Sequence, residues 1–207
     1  MFITGIAIAA SLSGSSPVHR VWNASDYLSE MTQCDVLISH PDDPNKIGPG
    51  TSRADADLPA AIKACKRAVK ADPENPRLNY QLARAYGYSG QGEKAYKYRE
   101  TAVAAGYPQS LFVIGYITLM GMNKQPQDTC KGGDLIRRSA KVNRFAGQVA
   151  FPYYWLEGKF EECDFDVSKQ ELLEYVDEGR ATAGSDFYKQ MLLDLLKKNI
   201  EKKFLQE

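Results

Sequence analysis

Residues 58–108 read LPAAIKACKRAVKADPENPRLNYQLARAYGYSGQGEKAYKYRETAVAAGYP and carry the strongest periodic pattern in the chain. Their apolar residues recur at i, i+3, i+4 and i+7, the spacing of one face of an amphipathic helix. Breaks rich in Pro or Gly at 72–76, 87–92 and 106–108 separate three such segments. The pattern therefore predicts three helices joined by turns. The apolar positions are Leu58, Ala61, Ile62, Cys65, Ala68 and Val69, then Leu78, Leu82, Ala85 and Tyr86, then Ala95, Tyr98, Ala102 and Ala105.

Small residues recur in this stretch with a fixed period. Ala61 and Ala95 lie 34 residues apart, as do Ala68 and Ala102. A period of about 34 residues is that of the tetratricopeptide repeat, in which small residues let paired helices approach closely. On these residues the chain resembles the tetratricopeptide family, although Asn79 stands where that family usually has Trp. Further matching positions are Leu82, Ala83, Tyr86 and the turn prolines Pro73 and Pro108.

The next segment, SLFVIGYITLMGMNKQPQDTCKGGDLIRRSA at 110–140, resembles the Sel1-like repeat, a related family with a longer loop between its paired helices. Its loop glycine, Gly121, recurs as Gly158, 37 residues later. Together the resemblances imply an all-α protein, a short right-handed α-solenoid of helix-turn-helix repeats over residues 57–165. The matching positions are Ile114, Gly115, Gly121, Pro126, Asp128 and Ala140, and the departures are Thr118, Gly132 and the MNKQ stretch.

Helical segments are also predicted on both sides of the repeats. Residues 17–56 form a lead-in, with a helix over 25–39 that stops before Pro41 and a loop rich in Pro and Gly, HPDDPNKIGPGTS. Residues 166–207 form a C-terminal helical cap with a helix over 168–183 and a longer amphipathic helix after it. Terminal repeats need a polar outer face, which such a cap supplies.

The chain opens with MFITGIAIAASLSGSSP, an apolar run followed by small polar residues. Residues 1–16 are therefore predicted to be a signal peptide. The alternative is an apolar leader, because no Lys or Arg precedes the run as a signal peptide would require. The run is shorter than the roughly 20 apolar residues that span a bilayer, so no stable membrane span is expected. The segment CDVLISHPDDPNK at 34–46 resembles the lead-in of Sel1-like repeats in exported bacterial proteins, which implies a periplasmic or secreted location.

The four cysteines form a front pair and a back pair with separations of 31 and 33 residues. In an exported chain the simplest interpretation is two local disulfides, Cys34 to Cys65 and Cys130 to Cys163, although three pairings are formally open. Four reduced core cysteines are the alternative. A four-cysteine zinc site is disfavoured, since it needs close pairs such as C-x-x-C.

No catalytic, metal or cofactor motif is recognisable in the chain. The stretch GYSGQGEKA at 87–95 satisfies G-x-G-x-x-G/A, but it follows a helical pattern and has no acidic residue at the required distance, so it is predicted to be a turn. Only two histidines, His19 and His40, are present for a triad or a multi-His site. The 26 basic and 26 acidic residues balance, which disfavours nucleic acid as a partner.

Charge is nevertheless distributed unevenly along the chain. Residues 61–105 contain nine basic and four acidic residues, whereas residues 157–178 contain nine acidic and two basic residues. Opposite charges at the two ends allow head-to-tail self-association. Alternatively, the two charged segments form solvated faces that bind no partner, which explains the same pattern.

These features favour a non-catalytic scaffold that binds a protein or peptide partner on the concave face of the repeats. Aromatic and Arg side chains dominate interface energies, and helix phase selects candidates on α-helical segments of two repeats. The alternatives are a structural, self-assembling protein or an enzyme like the secreted cysteine-rich Sel1-like proteins linked to β-lactam binding or hydrolysis. The predicted binding residues are Asn79, Tyr80, Arg84, Tyr88, Phe112 and Tyr116.

Overall fold

The computed structural model describes residues 22–27, 30–123 and 125–205. In these ranges every regular element is a helix, which confirms the all-α fold class. None of the helices described is both long and apolar enough to cross a bilayer. The predicted signal peptide or leader, residues 1–16, lies outside the described residues.

The lead-in differs from the single helix predicted over residues 25–39. It begins with a short 3₁₀ helix, Ala24–Asp26, and continues as α1, Gln33–Ile38. The Thr32 side chain accepts a hydrogen bond from the Asp35 backbone N–H, and the Asp35 side chain accepts one from the Thr32 N–H. This capping box fixes where α1 begins, so the prediction of one continuous helix was wrong.

Eight further helices occupy the regions predicted as repeats and cap. Proline lies in the first turn of α2, α3 and α5, where a missing N–H leaves no helical hydrogen bond unmade. Gly121 and Gly158, at the ends of α5 and α7, both have positive φ, 63° and 71°. The helices are α2 (Leu58–Ala71), α3 (Pro76–Tyr88), α4 (Gly92–Ala104), α5 (Pro108–Met120), α6 (Thr129–Lys141), α7 (Phe145–Leu156), α8 (Lys169–Ala183) and α9 (Phe187–Lys203).

Helices that follow one another in sequence pack against each other, from α1 on α2 to α8 on α9. Glycine permits two of the closest approaches. A Cβ at Gly132 would stand 2.6 Å from the Leu119 backbone nitrogen, and a Cβ at Gly147 would stand 2.7 Å from that of Ala140. The departure from the Sel1-like pattern at Gly132 therefore has a steric cause, because α5 and α6 meet backbone to backbone there.

Both predicted cysteine pairs lie at disulfide distance. Cys34 of α1 is joined to Cys65 of α2, and Cys130 of α6 to Cys163 in the segment between α7 and α8, with Cα–Cα distances of 4.6 and 5.3 Å. The first bridge fastens the lead-in to the helices that follow it. The second fastens the connection between α7 and α8 to α6.

The two halves of the protein have different apolar cores. The core around α1 to α4 consists largely of small and aliphatic side chains, including Cys34, Ala61 and Leu82. The core around α6 to α9 is aromatic at its centre, where the Phe151 ring stacks on Phe160 at 5.4 Å between centroids. The first half therefore packs small and aliphatic side chains, whereas the second fills much of its volume with large rings.

Candidate functional site

Three of the predicted binding residues lie on α3 and are buried. Asn79, Tyr80 and Arg84 expose only 2%, 4% and 7% of their surfaces. Asn79 donates from Nδ2 to the carbonyls of Pro73 and Asn75 at 2.7 and 2.9 Å, within the turn before its own helix. These three residues, predicted as partner contacts on the concave face, are therefore covered within the protein, because the lead-in of the same chain covers Arg84 and a local turn engages Asn79.

Arg84 binds the backbone of the lead-in. Its Nη1 donates to the carbonyls of Ile38 and Ser39, the latter at 2.9 Å, and its Nη2 donates to the Thr51 carbonyl at 2.8 Å. These contacts gather both ends of the loop that follows α1 onto one side chain. The guanidinium is therefore satisfied by the protein itself.

Tyr88, the fourth candidate on α3, is half-buried in the same contact. Its hydroxyl accepts a hydrogen bond from Arg84 Nε at 3.2 Å. Its ring centroid lies 4.8 Å from the guanidinium carbon of Arg84 and 5.1 Å from that of Arg53. Tyr88 therefore joins α3 to the lead-in through cation–π contacts.

Asp35, which the sequence analysis missed as a functional residue, fixes α1 on α3. Its buried carboxylate forms an ion pair with Arg77 and accepts a hydrogen bond from Gln81 Nε2 at 2.8 Å. It also accepts hydrogen bonds from the Thr32 N–H and hydroxyl, both at 2.8 Å. The T-x-x-D spacing marks this residue as a cap, but only the fold brings Arg77 and Gln81 to it.

A second buried carboxylate anchors the loop to the start of α5. Asp43 accepts a hydrogen bond from the Tyr107 hydroxyl at 2.6 Å and another from the Asn45 N–H at 2.9 Å. Burial raises the pKa of Asp43, and these two hydrogen bonds oppose that rise. Tyr107 in turn packs edge-on against Trp22, with 5.0 Å between the ring centroids.

His40 lies in the same loop and is held in its neutral form. Burial is the main cause that lowers the pKa of its imidazole to about 4, and the charges of Arg84, Arg144 and Lys46 add to this while Asp42 opposes it. Its Nδ1 accepts a hydrogen bond from the Asp42 N–H at 3.0 Å. Protonation at Nδ1 would remove this acceptor.

A row of polar contacts leads from the covered face of α3 towards α5 and α7. Gln109 donates from Nε2 to the Tyr80 hydroxyl at 3.2 Å and accepts a hydrogen bond at Oε1 from Arg144 Nε at 2.5 Å. The Arg144 guanidinium carbon lies 5.5 Å from the centroid of the Phe112 ring. The row therefore ends at the first of the two predicted binding residues on α5.

Beyond that row lies a group of rings, here called the aromatic surface and defined by Phe112, Tyr116, Tyr153 and Tyr154. Tyr116 and Tyr153 are exposed, whereas Phe112 and Tyr154 are half-buried. The Phe112 and Tyr116 rings stack at 6.4 Å, and the Tyr153 and Tyr154 rings meet edge-on at 5.2 Å. Partial burial raises the pKa of Tyr154, and the neighbouring Tyr116 and Tyr153 add to the rise. Tyr116 of α5 thus lies close enough to Tyr154 of α7 to act on its charge, and helix phase did not select the two α7 rings.

A separate cleft of about 300 Å³ lies between α4, α5 and α6, here called the α4–α6 cleft. Val103, Ile114, Ile117 and Leu135 supply apolar walls. Charged residues of α4 and α6 also line it, and Arg99 among them is buried. Volumes from about 300 Å³ upward are typical of small-ligand sites.

In the described part of the chain, no three His, Cys, Asp or Glu side chains are grouped so that they could hold a metal ion. No protein-family model, curated protein or solved structure matches the chain. Function is therefore inferred from the geometry of the aromatic surface and of the α4–α6 cleft.

Proposed function

We propose that the protein is an exported, disulfide-bonded helical-repeat scaffold that binds an extended segment of a partner protein on the aromatic surface. Its helices form a short right-handed solenoid of the tetratricopeptide and Sel1-like kind. The pairs α3/α4 and α5/α6 are its repeating units, and α8 and α9 close its end. The equivalent left-handed glycines Gly121 and Gly158 and the packing of successive helices support this arrangement.

Export is supported by the two cysteine pairs. Disulfides persist in oxidising compartments such as the periplasm or the extracellular space and are rare in reducing ones. Each bridge closes a loop of just over 30 residues, with Cys separations of 31 and 33. Loops of that length make the bridges effective stabilisers of a short solenoid, which has few long-range contacts to hold it.

The observation that supports the binding proposal is that the lead-in covers α3 but leaves α5 uncovered. On α3, side chains bind the lead-in of the chain itself through its backbone carbonyls, as Arg84 does with Ser39 and Thr51. On α5 and α7, the aromatic surface stays exposed, with Tyr116 and Tyr153 among the large exposed apolar side chains. A surface next to one that already binds a loop through its backbone is suited to a second segment, supplied by a partner.

Rigid rings at this position are well suited to such a role. Tyr side chains provide large contact areas and lose little conformational entropy on binding. The ring contacts between Phe112 and Tyr116 and between Tyr153 and Tyr154 hold the surface in place before any partner arrives. Arg144, whose guanidinium lies over Phe112, places a cation at the edge of the surface. The partner segment is therefore expected to carry apolar side chains and an acidic residue.

Site-specific photo-crosslinking in the native host tests the proposal. A photoreactive phenylalanine analogue replaces Tyr153, and in a matched control it replaces Tyr96 on α4; the two tyrosines are 47% and 48% exposed. We expect one defined partner to be crosslinked at position 153 and not at position 96. The crosslinked partner segment, synthesised as a peptide, is expected to bind the purified protein and to lose affinity at least tenfold with Tyr116→Ser.

The same experiment can reject the proposal. Equal crosslinking at both positions would indicate nonspecific contact, and no crosslinked protein at position 153 would remove the aromatic surface as a binding site. Reduction of the disulfides before peptide titration gives a further control. A partner that binds only the oxidised protein recognises the folded scaffold.

A second candidate function, self-association, is favoured by one observation on α9. Phe187, Tyr188 and Leu195 are exposed large apolar residues on this last helix of the described chain. Sedimentation over a range of protein concentrations tests it, with Tyr188→Ser and Leu195→Ser as variants. A mass that rises with concentration in the wild type and not in the variants would support it, whereas a constant monomer mass would exclude it.

A further inference from the structure

Arg99 lies at the α4–α6 cleft in an unusual state for a buried arginine. It exposes 8% of its surface, and its Nη2 lies close to α3, where a Cβ added at Gly87 would stand 3.2 Å away. Within the described residues no side chain or carbonyl forms a hydrogen bond or ion pair with its guanidinium. Its nitrogens are not among the fully enclosed polar atoms that lack a partner, so the N–H donors face space that water or a ligand can enter. Buried charged groups in proteins are normally paired.

The other buried arginines follow that rule. Arg77 pairs with Asp35, Arg84 donates to three backbone carbonyls, and Arg144 donates to Gln109. Each of them holds a part of the lead-in or of the turn before α7. Arg99 is different because its five N–H donors have no such structural role.

No carboxylate that lines the described part of the cleft compensates the Arg99 charge. Burial is the main cause that lowers the pKa of the Arg99 guanidinium, and only Tyr80 opposes this. The Tyr80 phenol is itself neutral at pH 7, because burial raises its pKa. Asp134 faces Arg138 at 3.7 Å, and Asp128 accepts a hydrogen bond from the backbone as the N-cap of α6.

The remainder of the cleft is mostly apolar. Val103, Ile114, Ile117 and Leu135 form aliphatic walls around a volume of about 300 Å³. Glu100, the acidic residue next to Arg99 in sequence, is exposed and lies at the rim. The cleft therefore combines one buried cation with a small aliphatic space, which is the complement of an anion on a short hydrocarbon group.

From this geometry we infer that the α4–α6 cleft binds a carboxylate carried by a short aliphatic chain. The planar guanidinium of Arg99 pairs with the carboxylate through two parallel N–H···O hydrogen bonds, the arrangement that arginine and carboxylate favour. The aliphatic chain lies against the walls formed by α5 and α6.

Two sources supply this chemistry. One is a free short-chain fatty acid, and the other is the C-terminal residue of a peptide that ends in Leu or a similar aliphatic side chain. Both present a carboxylate next to an apolar group. The site lies on α4, α5 and α6 and is separate from the aromatic surface, so the inference does not depend on the proposed function.

Isothermal titration calorimetry on the intact, oxidised protein tests the inference. The probes are octanoate, its uncharged counterpart octanol, and a short peptide ending in Leu with either a free or an amidated C terminus. If the ligand is a free fatty acid, octanoate binds and octanol does not. If it is a peptide C terminus, the free peptide binds at least tenfold more tightly than both octanoate and the amidated peptide.

Two variants link binding to the guanidinium. Arg99→Met keeps the bulk of the side chain and removes its charge, and it is expected to weaken binding of the successful probe about 10- to 100-fold, as loss of hydrogen bonds to a charged group does. Arg138→Met, on the rim of the same cleft, is the matched control and is expected to change affinity less than threefold. Tyr116→Ser, on the aromatic surface, is expected to leave affinity unchanged.

The thermal midpoint of unfolding provides an independent readout. Because Arg99 has no structural partner, Arg99→Met is expected to keep or raise the midpoint in the absence of ligand. A clear fall in the midpoint would mean that the guanidinium is satisfied within the protein and would overturn the inference. Failure of octanoate and the free peptide to bind, or binding that Arg99→Met does not weaken, would overturn it equally.

Discussion

The outward faces of α3 and α5 occupy adjacent positions in the protein, but the first is covered by another segment of the chain and the second is not. On α3 the lead-in covers Arg84 and its backbone carbonyls satisfy the guanidinium, whereas on α5 the Tyr116 ring remains accessible. The Gln109 and Arg144 contacts connect the two faces. The difference teaches that an outward position on a helix does not by itself mean a free binding surface. Whether such a surface is free depends on which other segments of the chain pack against it.

The covered face depends most on Asp35. Asp35→Ala leaves the buried Arg77 without its ion-pair partner and Gln81 without an acceptor, so we expect the free energy of unfolding to fall by about 3–5 kcal/mol. The control is Asp194→Ala, which removes the exposed partner of Arg180 and is expected to cost less than about 1 kcal/mol. Chemical denaturation measures both. Equal losses in the two variants would contradict the assignment of Asp35 as the anchor of α1.

Removing the two disulfides one at a time distinguishes an effect on overall stability from an effect on the covering of α3 by the lead-in. Replacing either pair by alanines, Cys34 with Cys65 or Cys130 with Cys163, opens loops of similar length, so each double variant is expected to lose about 2–4 kcal/mol. Only loss of the first bridge is expected to increase amide hydrogen exchange in α3. Increased exchange in α3 after loss of the second bridge alone would show that the covering does not depend on the tether.

Acid is expected to loosen the covered face through His40. The folded protein holds the imidazole pKa at about 4, below the ordinary value near 6.5, so the unfolded chain binds the proton first as pH falls. Stability is therefore lost between about pH 6.5 and pH 4, by on the order of 1 kcal/mol after allowance for solvent screening.

The control for this pH dependence is His40→Asn, which keeps an acceptor for the Asp42 N–H and does not titrate. Unfolding by denaturant at a series of pH values measures the difference between the two proteins. We expect the variant to lose less stability than the wild type over this interval. Parallel pH profiles would remove His40 as the cause.

The smallest effect is expected on the open face. Tyr116→Ser and Tyr153→Ser alter exposed side chains, so the free energy of unfolding is expected to change by no more than about 0.5 kcal/mol. Partner binding is expected to be lost in both. A large loss of stability would place these rings in the core of the fold and would weaken the case for the aromatic surface.

Much of the helical framework could be predicted because its signals are local. Apolar spacing, first-turn prolines and the recurrence of Gly121 at Gly158 are all visible within short windows of sequence. The cysteine pairs were also accessible, since each bridge is confined to one half of the chain. The break of the predicted helix over 25–39 was not foreseen, although the Thr32 and Asp35 spacing carries the signal for it.

The covering of α3 could not be predicted because it depends on contacts between distant residues. Arg84 meets Ser39 across 45 positions, and Tyr107 meets Asp43 across 64. Helix phase places Arg84 on an outward face and does not reveal which segment lies over it. Arg99 was missed for a related reason, since only the packing of α4 against its neighbours buries it.

The bridge between Cys34 and Cys65 also keeps the lead-in next to α3, where it competes with any external peptide for the same face of that helix. A segment tethered this closely has an effective concentration on the order of millimolar next to the face it covers. A free peptide at lower concentration and similar intrinsic affinity would be outcompeted on α3. If the protein binds peptides as proposed, the oxidised form is expected to direct them away from α3 and towards α5 and α7, and reduction of this one bond is expected to lower that competition.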